Sequence, residues 1–469
     1  MVGIVSYGAY VPYRRLKRSA IAEVLGVPGE RGERAVASFD EDSVSMGVEA
    51  ARDAVSMAAA PSVDTLLFAT TTPPYADKLN AAVVGAALRL PSELRAADLS
   101  GSVRAGLSAL LQAADSVRGG AERALAVASD ARLAAPEAKA ERTNGDGAAA
   151  FVLGSRDVIA EIVASASVTR EFLDTWRTPD ERFPHSWEER FALTQAYTPL
   201  LSQAVQAVLE KAGAAPEQLA AVVLDCPNPR AVDGVARRLK LRPEQMADSL
   251  SLTTGRAGAA HAGLMLANAL AAAKEGDAIL VAVAADGADA VLLRVTAAAA
   301  GRKQRRSVGR LIESKGGVAY GTYLKWREIL PTEPPRRPDP ERPAGPPMLR
   351  ASAWKYGFVG SSCTACGTPQ LPPQRVCVRC GALDRMEPYP FADRRARIAT
   401  LTLDRLAFSL NPPTVNVVLD FEGGGRFICE MTDCDPEKVA IGDEVEMTFR
   451  RMFTADGVHN YFWKARPKR

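Results

Sequence analysis

Four cysteines fall into two pairs, Cys363-x-x-Cys366 and Cys377-x-x-Cys380, separated by ten residues. Two such pairs bring four thiolates to the corners of a tetrahedron, the geometry that Zn²⁺ prefers when every position is closed. Gly367 and Gly381 each follow the second cysteine of a pair, where a tight turn lets backbone N–H groups face the sulfurs. Iron in the same sulfur tetrahedron, two disulfides or a degenerate ribbon are the alternatives this spacing leaves. A four-thiolate site has no open coordination position, so its metal is expected to be structural.

Other residues that could do chemistry are scattered. Arg14, Arg15, Lys17 and Arg18 follow the first apolar stretch, and Arg302–Arg306 (RKQRR) forms a second basic run. Guanidinium and ammonium groups suit phosphate oxygens, although a solvated loop explains the second run equally well. His185 and His459 stand alone and read as structural. Gly145-Asp146-Gly147 reads as a turn of the fold and not as a phosphate cradle.

The elements that would position these residues are legible in the apolar pattern. Buried strands are expected at Thr65–Thr70, Ala124–Ser129, Ala148–Leu153, Ala220–Leu224 and Ala278–Ala284. Helical periodicity covers Ser43–Ala59, Val103–Val117, Pro199–Ala212 and Ala257–Lys274. This alternation implies a layered α/β architecture. Residues 331–347 hold eight prolines in 17 positions and are expected to form an extended linker, excluding helix. Beyond it, Arg397–Phe408, Thr414–Phe421, Arg426–Met431, Glu444–Phe453 and Asn460–Lys464 are strand-like, with a hairpin signal at Asp456-Gly457. Five short strands suggest a small β-barrel. The expected partition is 1–160 and 161–300 as two α/β halves, 301–349 as connector, 350–390 as ribbon and 391–469 as barrel.

Length, composition and charge bound the function. The 469 residues are 47% hydrophobic and 24% charged, with 58 basic against 55 acidic side chains, a formal charge of +3. A largely disordered chain is excluded, and the balance argues against a nucleic-acid or polybasic membrane partner. No uninterrupted apolar run approaches a membrane span, and the N-terminal basic cluster follows its apolar residues, the reverse of a secretory signal. A cytoplasmic location is expected.

Trp354–Cys363 (WKYGFVGSSC), Pro372–Arg375 (PPQR) and Ile441–Glu444 (IGDE) set the ribbon in a wider pattern. It resembles the zinc-ribbon/OB-fold family that accompanies thiolases and 3-hydroxy-3-methylglutaryl-CoA (HMG-CoA) synthases, over about residues 350–465. Residues 1–300 resemble the prokaryotic HMG-CoA synthases of the thiolase superfamily through Gly3–Pro12 (GIVSYGAYVP), Asp40–Ser43 (DEDS), Pro74–Lys78 (PYADK), Gly145–Ala149 (GDGAA) and Glu171–Arg177 (EFLDTWR). The resemblance implies a duplicated thiolase fold, a layered αβαβα arrangement, followed by a rubredoxin-like zinc ribbon and an OB-fold barrel. It further implies a coenzyme A thioester or acyl-carrier thioester as ligand, and a homodimer or a complex with a thiolase-like subunit. Arg14 and Arg15 would meet the CoA nucleotide, and Asp174, Trp176 and Arg177 would lie on the substrate side.

The family's catalytic pattern is altered. The stretch that carries the family's nucleophilic cysteine matches Asp98–Gly106 (DLSGSVRAG), which puts Val103 at that position beside Ser102. Valine forms no thioester. The acid/base glutamate falls on Thr71, the oxyanion-hole histidine on Asp225 and the second oxyanion donor, an asparagine, on Arg256. Asp225 and Arg256 are expected to pair, with Cys226 and His261 nearby in sequence, and Tyr75, Tyr197 and Tyr10 are candidates for proton transfer. The resemblance therefore implies either non-covalent C–C bond chemistry of the aldol or retro-aldol type, as in cysteine-less retro-aldolases of the superfamily, or an inactive scaffold in which Asp225–Arg256 is a structural salt bridge.

Overall fold

The computed structural model describes residues 1–58, 63–302, 304–336, 338 and 340–469, and the chain divides into two compact units. The first comprises residues 1–37, 42–82 and 90–315, and the second comprises 38–41, 83–89 and 316–469. No helix among the described residues is long and apolar enough to cross a membrane.

The first unit is built on nine strands: β1 (Gly3–Tyr10), β2 (Thr65–Ala69), β3 (Arg95–Leu99), β4 (Arg123–Ala131), β5 (Asp146–Gly154), β6 (Ala160–Thr169), β7 (Leu219–Asp225), β8 (Ala278–Ala285) and β9 (Gly287–Val295). They form one sheet in the order β7-β8-β9-β6-β1-β5-β4-β2-β3. The order contains the duplication. In the first half β1, β5 and β4 pair antiparallel, and β4, β2 and β3 pair parallel. In the second half β6, β9 and β8 pair antiparallel and β8 and β7 parallel, while an isolated parallel bridge from Val222 to Met246 stands where β3 stands in the first half. The halves join where Gly3 and Ile4 of β1 meet Glu161 and Ala160 of β6.

The expected strands lie within these elements except for Thr70, one residue past β2. The expected helices correspond to α1 (Ser43–Ala58), α2 (Ala105–Arg118), α3 (Thr198–Ala212) and α4 (His261–Ala272), with Val103 and Arg104 in the turn before α2, Gly258–Ala260 a 3₁₀ turn before α4, and Ala273 and Lys274 beyond it. Ala59, the expected last residue of the first helix, lies outside the described residues. One apolar core joins α2 and α4 to both halves of the sheet, through Leu107, Leu110, Leu264, Leu266, Phe151 and Val281. A second core packs α3 on the other face of the second half, through Leu200, Val205, Val222 and Leu292. β1, β3, β6 and β9 were not among the expected strands. Asp286 and Asp289 break the apolar run at β9, yet Asp289 is buried because it is bonded to Arg104 and Ser108.

Arg15 and Arg18 of the first basic run and Arg306 of the second are buried, whereas Lys17 and Arg305 are exposed. Arg15 is 2% exposed and donates to the carbonyls of Pro12 and Leu311, and Arg18 donates to that of Ser251. Arg306 is 1% exposed and grips Asp53 with two hydrogen bonds of 2.9 and 2.8 Å, with Glu49 at 3.6 Å. These guanidinium groups neutralise buried carboxylates or cap carbonyls, which corrects the expectation of CoA contact at Arg15 and of a solvated loop at Arg306. Arg14 is half-buried, with its guanidinium 5.3 Å from the Tyr13 ring centroid. Lys303 lies outside the described residues.

In the second unit, the proline-rich stretch is irregular only to Ala344. Gly345–Arg350 is a helix with proline in its first turn, where the missing N–H has no intrahelical partner to lose. Excluding helix was therefore wrong for Gly345, Pro346 and Pro347, while Arg337 and Asp339 lie outside the described residues. The ribbon has strands Val359–Cys363, Pro369–Gln370 and Met386–Pro390. Then come β10 (Ala396–Asp404), β11 (Thr414–Phe421), β12 (Arg426–Met431), β13 (Glu444–Ala455) and β14 (Val458–Pro467), a closed barrel in the order β10-β11-β12-β14-β13. Asp456 and Gly457, both at positive φ, turn β13 into β14, as two-residue hairpins require. Phe358 stacks on Trp463 at 5.7 Å between ring centroids and meets Phe427 edge-on at 5.2 Å. Asp40 and Glu41 belong to this unit, paired with Lys464 (3.1 Å) and Arg450.

Candidate functional site

The carboxyl ends of β4 and β7 and the turn after β3 open onto a cleft of about 240 Å³ in the first unit. Val103 lines it, in the turn that leaves β3 and enters α2. That turn is pinned from the second half. Arg104 Nε lies 3.0 Å from Asp289 Oδ2, its Nη1 donates to the carbonyls of Val168 and Asp286 and its Nη2 to Thr169 Oγ1, and Ser108 donates to Asp289 at 2.6 Å. The head of α2 is thus fixed, with Val103 lining the cleft from the turn before it.

Asp225 ends β7, and its carboxylate accepts from the Arg256 guanidinium. The side chains are 4% and 16% exposed, and of the two only Arg256 reaches the cleft. Arg256 is held by its backbone. Its N–H donates to Thr143 O at 2.9 Å and its carbonyl accepts from Gly145 N at 2.9 Å. This close approach explains Gly145, because a Cβ there would stand 1.9 Å from Thr254 O. The expected pair exists, and its geometry changes the reading of Asp225. A carboxylate committed to a guanidinium and turned from the cleft holds Arg256 and does not collect protons from a ligand.

The other expected residues divide sharply. Tyr197 lines the cleft, as the last residue of a π-helical turn, Ala192–Tyr197, that runs into α3. Its hydroxyl donates to Asp174, which also lines the cleft. Burial and then that hydrogen bond push the Tyr197 pKa far above the ordinary tyrosine value, so its hydroxyl stays protonated at neutral pH. His261 is 2% exposed, accepts from Ala257 N at Nδ1 (3.3 Å) and is kept neutral by burial, which lowers its pKa. Cys226 is buried, and burial pushes its thiol up to about 12, so it is no thiolate. Tyr75 and Tyr10 are absent from the cleft lining, and so are His261 and Cys226. Thr71 lies behind the cleft. It donates to Asp130 through N (2.6 Å) and Oγ1 (2.9 Å) and accepts from Arg132 at 2.7 Å.

On the outer side a two-stranded ribbon pairs Thr175–Trp176 with His185–Ser186. Trp176 stacks on His185 at 5.5 Å, and Trp187 lies 6.5 Å from Trp176. Thr175, His185 and Trp187 line the cleft, whereas Trp176 does not and Arg177 is exposed, donating to Glu181 O at 3.1 Å. His185 is therefore part of the site, although its Nε2 is engaged by Glu181 Oε1 at 2.8 Å. Sequence reasoning also missed Arg132, Lys139 and Glu189. The available signal for Arg132 was its place just beyond the carboxyl end of a buried strand, where ligands collect in α/β sheets.

The second site is in the second unit. The sulfurs of Cys363, Cys366, Cys377 and Cys380 all lie within 4.8 Å of one another. Cys363–Cys380 and Cys366–Cys377 are 3.7 and 3.6 Å apart. A zinc–sulfur bond of about 2.3 Å implies a tetrahedral edge of about 3.8 Å, so the donor set fits zinc without rearrangement. The two knuckles are alike: Gly367 N donates to Cys363 O (2.7 Å) and Gly381 N to Cys377 O (3.1 Å), both glycines at positive φ. Cys363, Cys366, Cys377 and Cys380 are the four ligands of a structural zinc ribbon.

Comparison with known proteins follows the same division. Residues 209–295 match the family model of the 3-oxoacyl-[acyl-carrier-protein] synthase III C terminal. Residues 355–384 match the ChsH2 rubredoxin-like zinc ribbon domain, and residues 389–450 the ChsH2 C-terminal OB-fold domain. A hydroxymethylglutaryl-CoA synthase of Methanopyrus kandleri is 33% identical over 345 residues, which is 70% of this chain and 98% of that protein. One from Caldivirga maquilingensis is 32% identical over 348 residues, again 70% and 98%. The structure of MvaS in complex with 3-hydroxy-3-methylglutaryl coenzyme A shares the fold, with a TM-score of 0.61 at 21% identity over 72% of this chain and 94% of that one. So does 3-oxoacyl-[acyl-carrier-protein] synthase III from Aquifex aeolicus, with a TM-score of 0.56 at 23% identity over 63% and 100%.

Proposed function

We propose, for a chain that belongs to the hydroxymethylglutaryl-CoA synthase family, that the cleft binds an acyl-CoA or acyl-carrier thioester and makes or breaks a C–C bond without an acyl-enzyme. The observation that carries this is the lining: Val103 stands at the head of α2, Cys226 is buried away from the cleft, and a proton-bearing Tyr197 faces it beside Asp174. Thr71, Val103, Asp225 and Arg256 then replace the family's working residues.

In cleavage, the β-hydroxyl proton of a β-hydroxyacyl thioester passes to the Asp174–Tyr197 pair. The Cα–Cβ bond breaks as the hydroxyl carbon becomes a carbonyl. The electron pair rests on the thioester enolate, whose oxygen is stabilised by the guanidinium groups of the cleft. The same pair returns the proton to Cα. Addition is the reverse. Asp225 acts through Arg256, as a positioning residue.

The test is intact-mass spectrometry with acetyl-CoA, together with turnover of a β-hydroxyacyl-CoA. No acyl adduct should form, and Tyr197→Phe should abolish turnover while leaving thioester affinity within about tenfold. A stable adduct on Ser102 or Cys226 would refute the reading. A second reading, an inactive scaffold, is favoured by the satisfaction of the site's acids: Asp225 by Arg256, Asp174 by Tyr197, Glu189 by Lys139. Thioester binding with no turnover in either form would select it. We also propose self-association or pairing with a thiolase-like subunit through β3, a partly exposed strand at the end of the sheet. Light scattering giving a monomer of about 50 kDa at micromolar concentration would exclude self-association.

A further inference from the structure

The shielded polar side chains of the cleft are bonded to neighbours, with one exception. Arg132 donates to Thr71 Oγ1 at 2.7 Å, Thr143 Oγ1 to Lys139 O at 3.1 Å, Asn228 Nδ2 to Glu189 at 3.2 Å, Tyr197 to Asp174 and Arg256 to Asp225. Asn144 also lines the cleft and is half-buried. Its Nδ2 is closed off from water and has no partner among the described residues. Its Oδ1 has none either, and is the amide atom left open. An amide N–H shut away unbonded costs about 1–3 kcal/mol. Folded proteins satisfy nearly all such groups, and the exceptions collect where a structure is strained or serves a ligand.

The backbone around Asn144 has no slack with which to relieve this. Its N–H donates to Ala140 O at 2.8 Å, and it bridges in parallel to Arg256, which donates to Thr143 O and accepts from Gly145 N, both at 2.9 Å. Gly255, at a φ of +71°, passes so close that a Cβ on it would stand 2.6 Å from Asn144 O. The segments that carry Asn144 and Arg256, one from each half of the sheet, are therefore locked together, and only the side chain can turn. Rotation about the Cβ–Cγ bond of asparagine is soft and roughly two-fold, so a half-turn exchanges the closed nitrogen with the open oxygen. The amide then offers an N–H to a cleft whose lining it shares with Arg256. What that donor lacks is an acceptor oxygen. The hydroxyl of a β-hydroxyacyl thioester is matched by the Asp174–Tyr197 pair, whereas its thioester oxygen only accepts, and gains negative charge in the reaction.

We infer that Asn144, together with Arg256, holds the thioester oxygen, so that Asn144 is a catalytic hydrogen-bond donor of the cleft. As the Cα–Cβ bond breaks, its electron pair passes through Cα to that oxygen, while the Asn144 protons stay on nitrogen and no bond to Asn144 forms. The inference rests on the thioester reading above and adds a residue to it. Asn144 stands at neither of the oxyanion positions that the resemblance assigns, Asp225 and Arg256.

The experiment compares acetyl-CoA with S-ethyl-CoA, in which a methylene replaces the thioester carbonyl, by calorimetric titration of the full-length, zinc-loaded chain. Acetyl-CoA should bind about tenfold more tightly, the worth of hydrogen bonds to its oxygen. Asn144→Ala should cut that preference to about threefold or less and leave S-ethyl-CoA within about twofold. The free Asn144→Ala chain should be as stable as the parent in urea, or more stable, because an unsatisfied donor is removed. The carbonyl stretch of acetyl-CoA labelled with ¹³C at that carbon should move to lower wavenumber on binding the parent chain, and move less on binding Asn144→Ala. Equal affinity of the parent for the two probes, or a preference and a stretch shift that survive Asn144→Ala, overturns the inference and leaves the thioester reading standing. An Asn144→Ala chain that is clearly less stable in urea overturns it as well, since Asn144 is then a structural residue. Failure of both probes to bind refutes the thioester reading itself.

Discussion

Asp225→Asn separates what the buried ion pair does for stability from what it does for binding. The substitution removes one negative charge and keeps an oxygen that accepts from Arg256. At about 4 Å and an effective dielectric constant near 20, the charge attraction is about 4 kcal/mol. Arg256 is 16% exposed and Asp225 4%, so water recovers part of that loss. A net destabilisation of about 2 kcal/mol is the reasoned value, below the range for breaking a fully buried pair. Arg256 should stay in place, because its backbone is bridged to Thr143 and Gly145. The cleft then gains one unit of positive charge, and affinity for an anionic CoA thioester should rise about three- to tenfold as stability falls. Urea denaturation followed by circular dichroism reads the first effect, and calorimetry reads the second. A cycle with Arg256→Gln should give a coupling of at least about 1 kcal/mol. A variant as stable as the parent, or one that binds the CoA thioester more weakly, would refute the reasoning.

Gly145→Ala places a methyl group 1.9 Å from Thr254 O, so the chain must part where Arg256 is anchored; a loss of about 2–3 kcal/mol is expected, read by denaturation, together with weaker thioester binding. Purified protein should contain about one zinc per chain by elemental analysis, and Cys363→Ser should lose it and leave residues 355–390 open to protease. Alkaline pH should destabilise the first unit. Burial raises Tyr7 to about 12 and, with the Asp174 bond, Tyr197 further, so their stabilisation is complete below the unfolded value of about 10 and is lost as pH rises through the folded values, at up to about 1.4 kcal/mol per pH unit for each. Denaturation at about pH 9 and pH 11 should show the slope, and Tyr197→Phe should reduce it; an unchanged slope would remove Tyr197 from the account.

The zinc ribbon was legible in full because its information is local. Spacing within Cys363–Cys380 and a glycine after each pair dictate the knuckles whatever surrounds them. Five of the nine strands of the sheet and the strands of the barrel were legible for the same reason, since an apolar run with its turn residues carries its own period. The Gly345–Arg350 helix escaped because proline was read as a breaker, when in a first turn it breaks no hydrogen bond. The pairing of Asp225 with Arg256 came from resemblance, and no local pattern joins residues 31 positions apart.

What the tertiary structure alone decided is direction and burial. A sequence with Arg14, Arg15, Arg302 and Arg306 states charge, but whether a guanidinium meets solvent or a buried carboxylate depends on Asp53 and Glu49 arriving from α1. Likewise, Tyr75, Tyr197 and Tyr10 are equal in sequence, and only the packing of a π-helical turn against Asp174 sets Tyr197 in the cleft. Arg132 had a signal in its place just beyond a buried strand, but not its partner: Asp130, two residues before it, turns to Thr70, Thr71, Thr72 and Ala259, and the Arg132 guanidinium donates to Thr71 instead. Residue type fixes what a side chain can do, and the chain's distant partners fix which of those capacities remains open to a ligand.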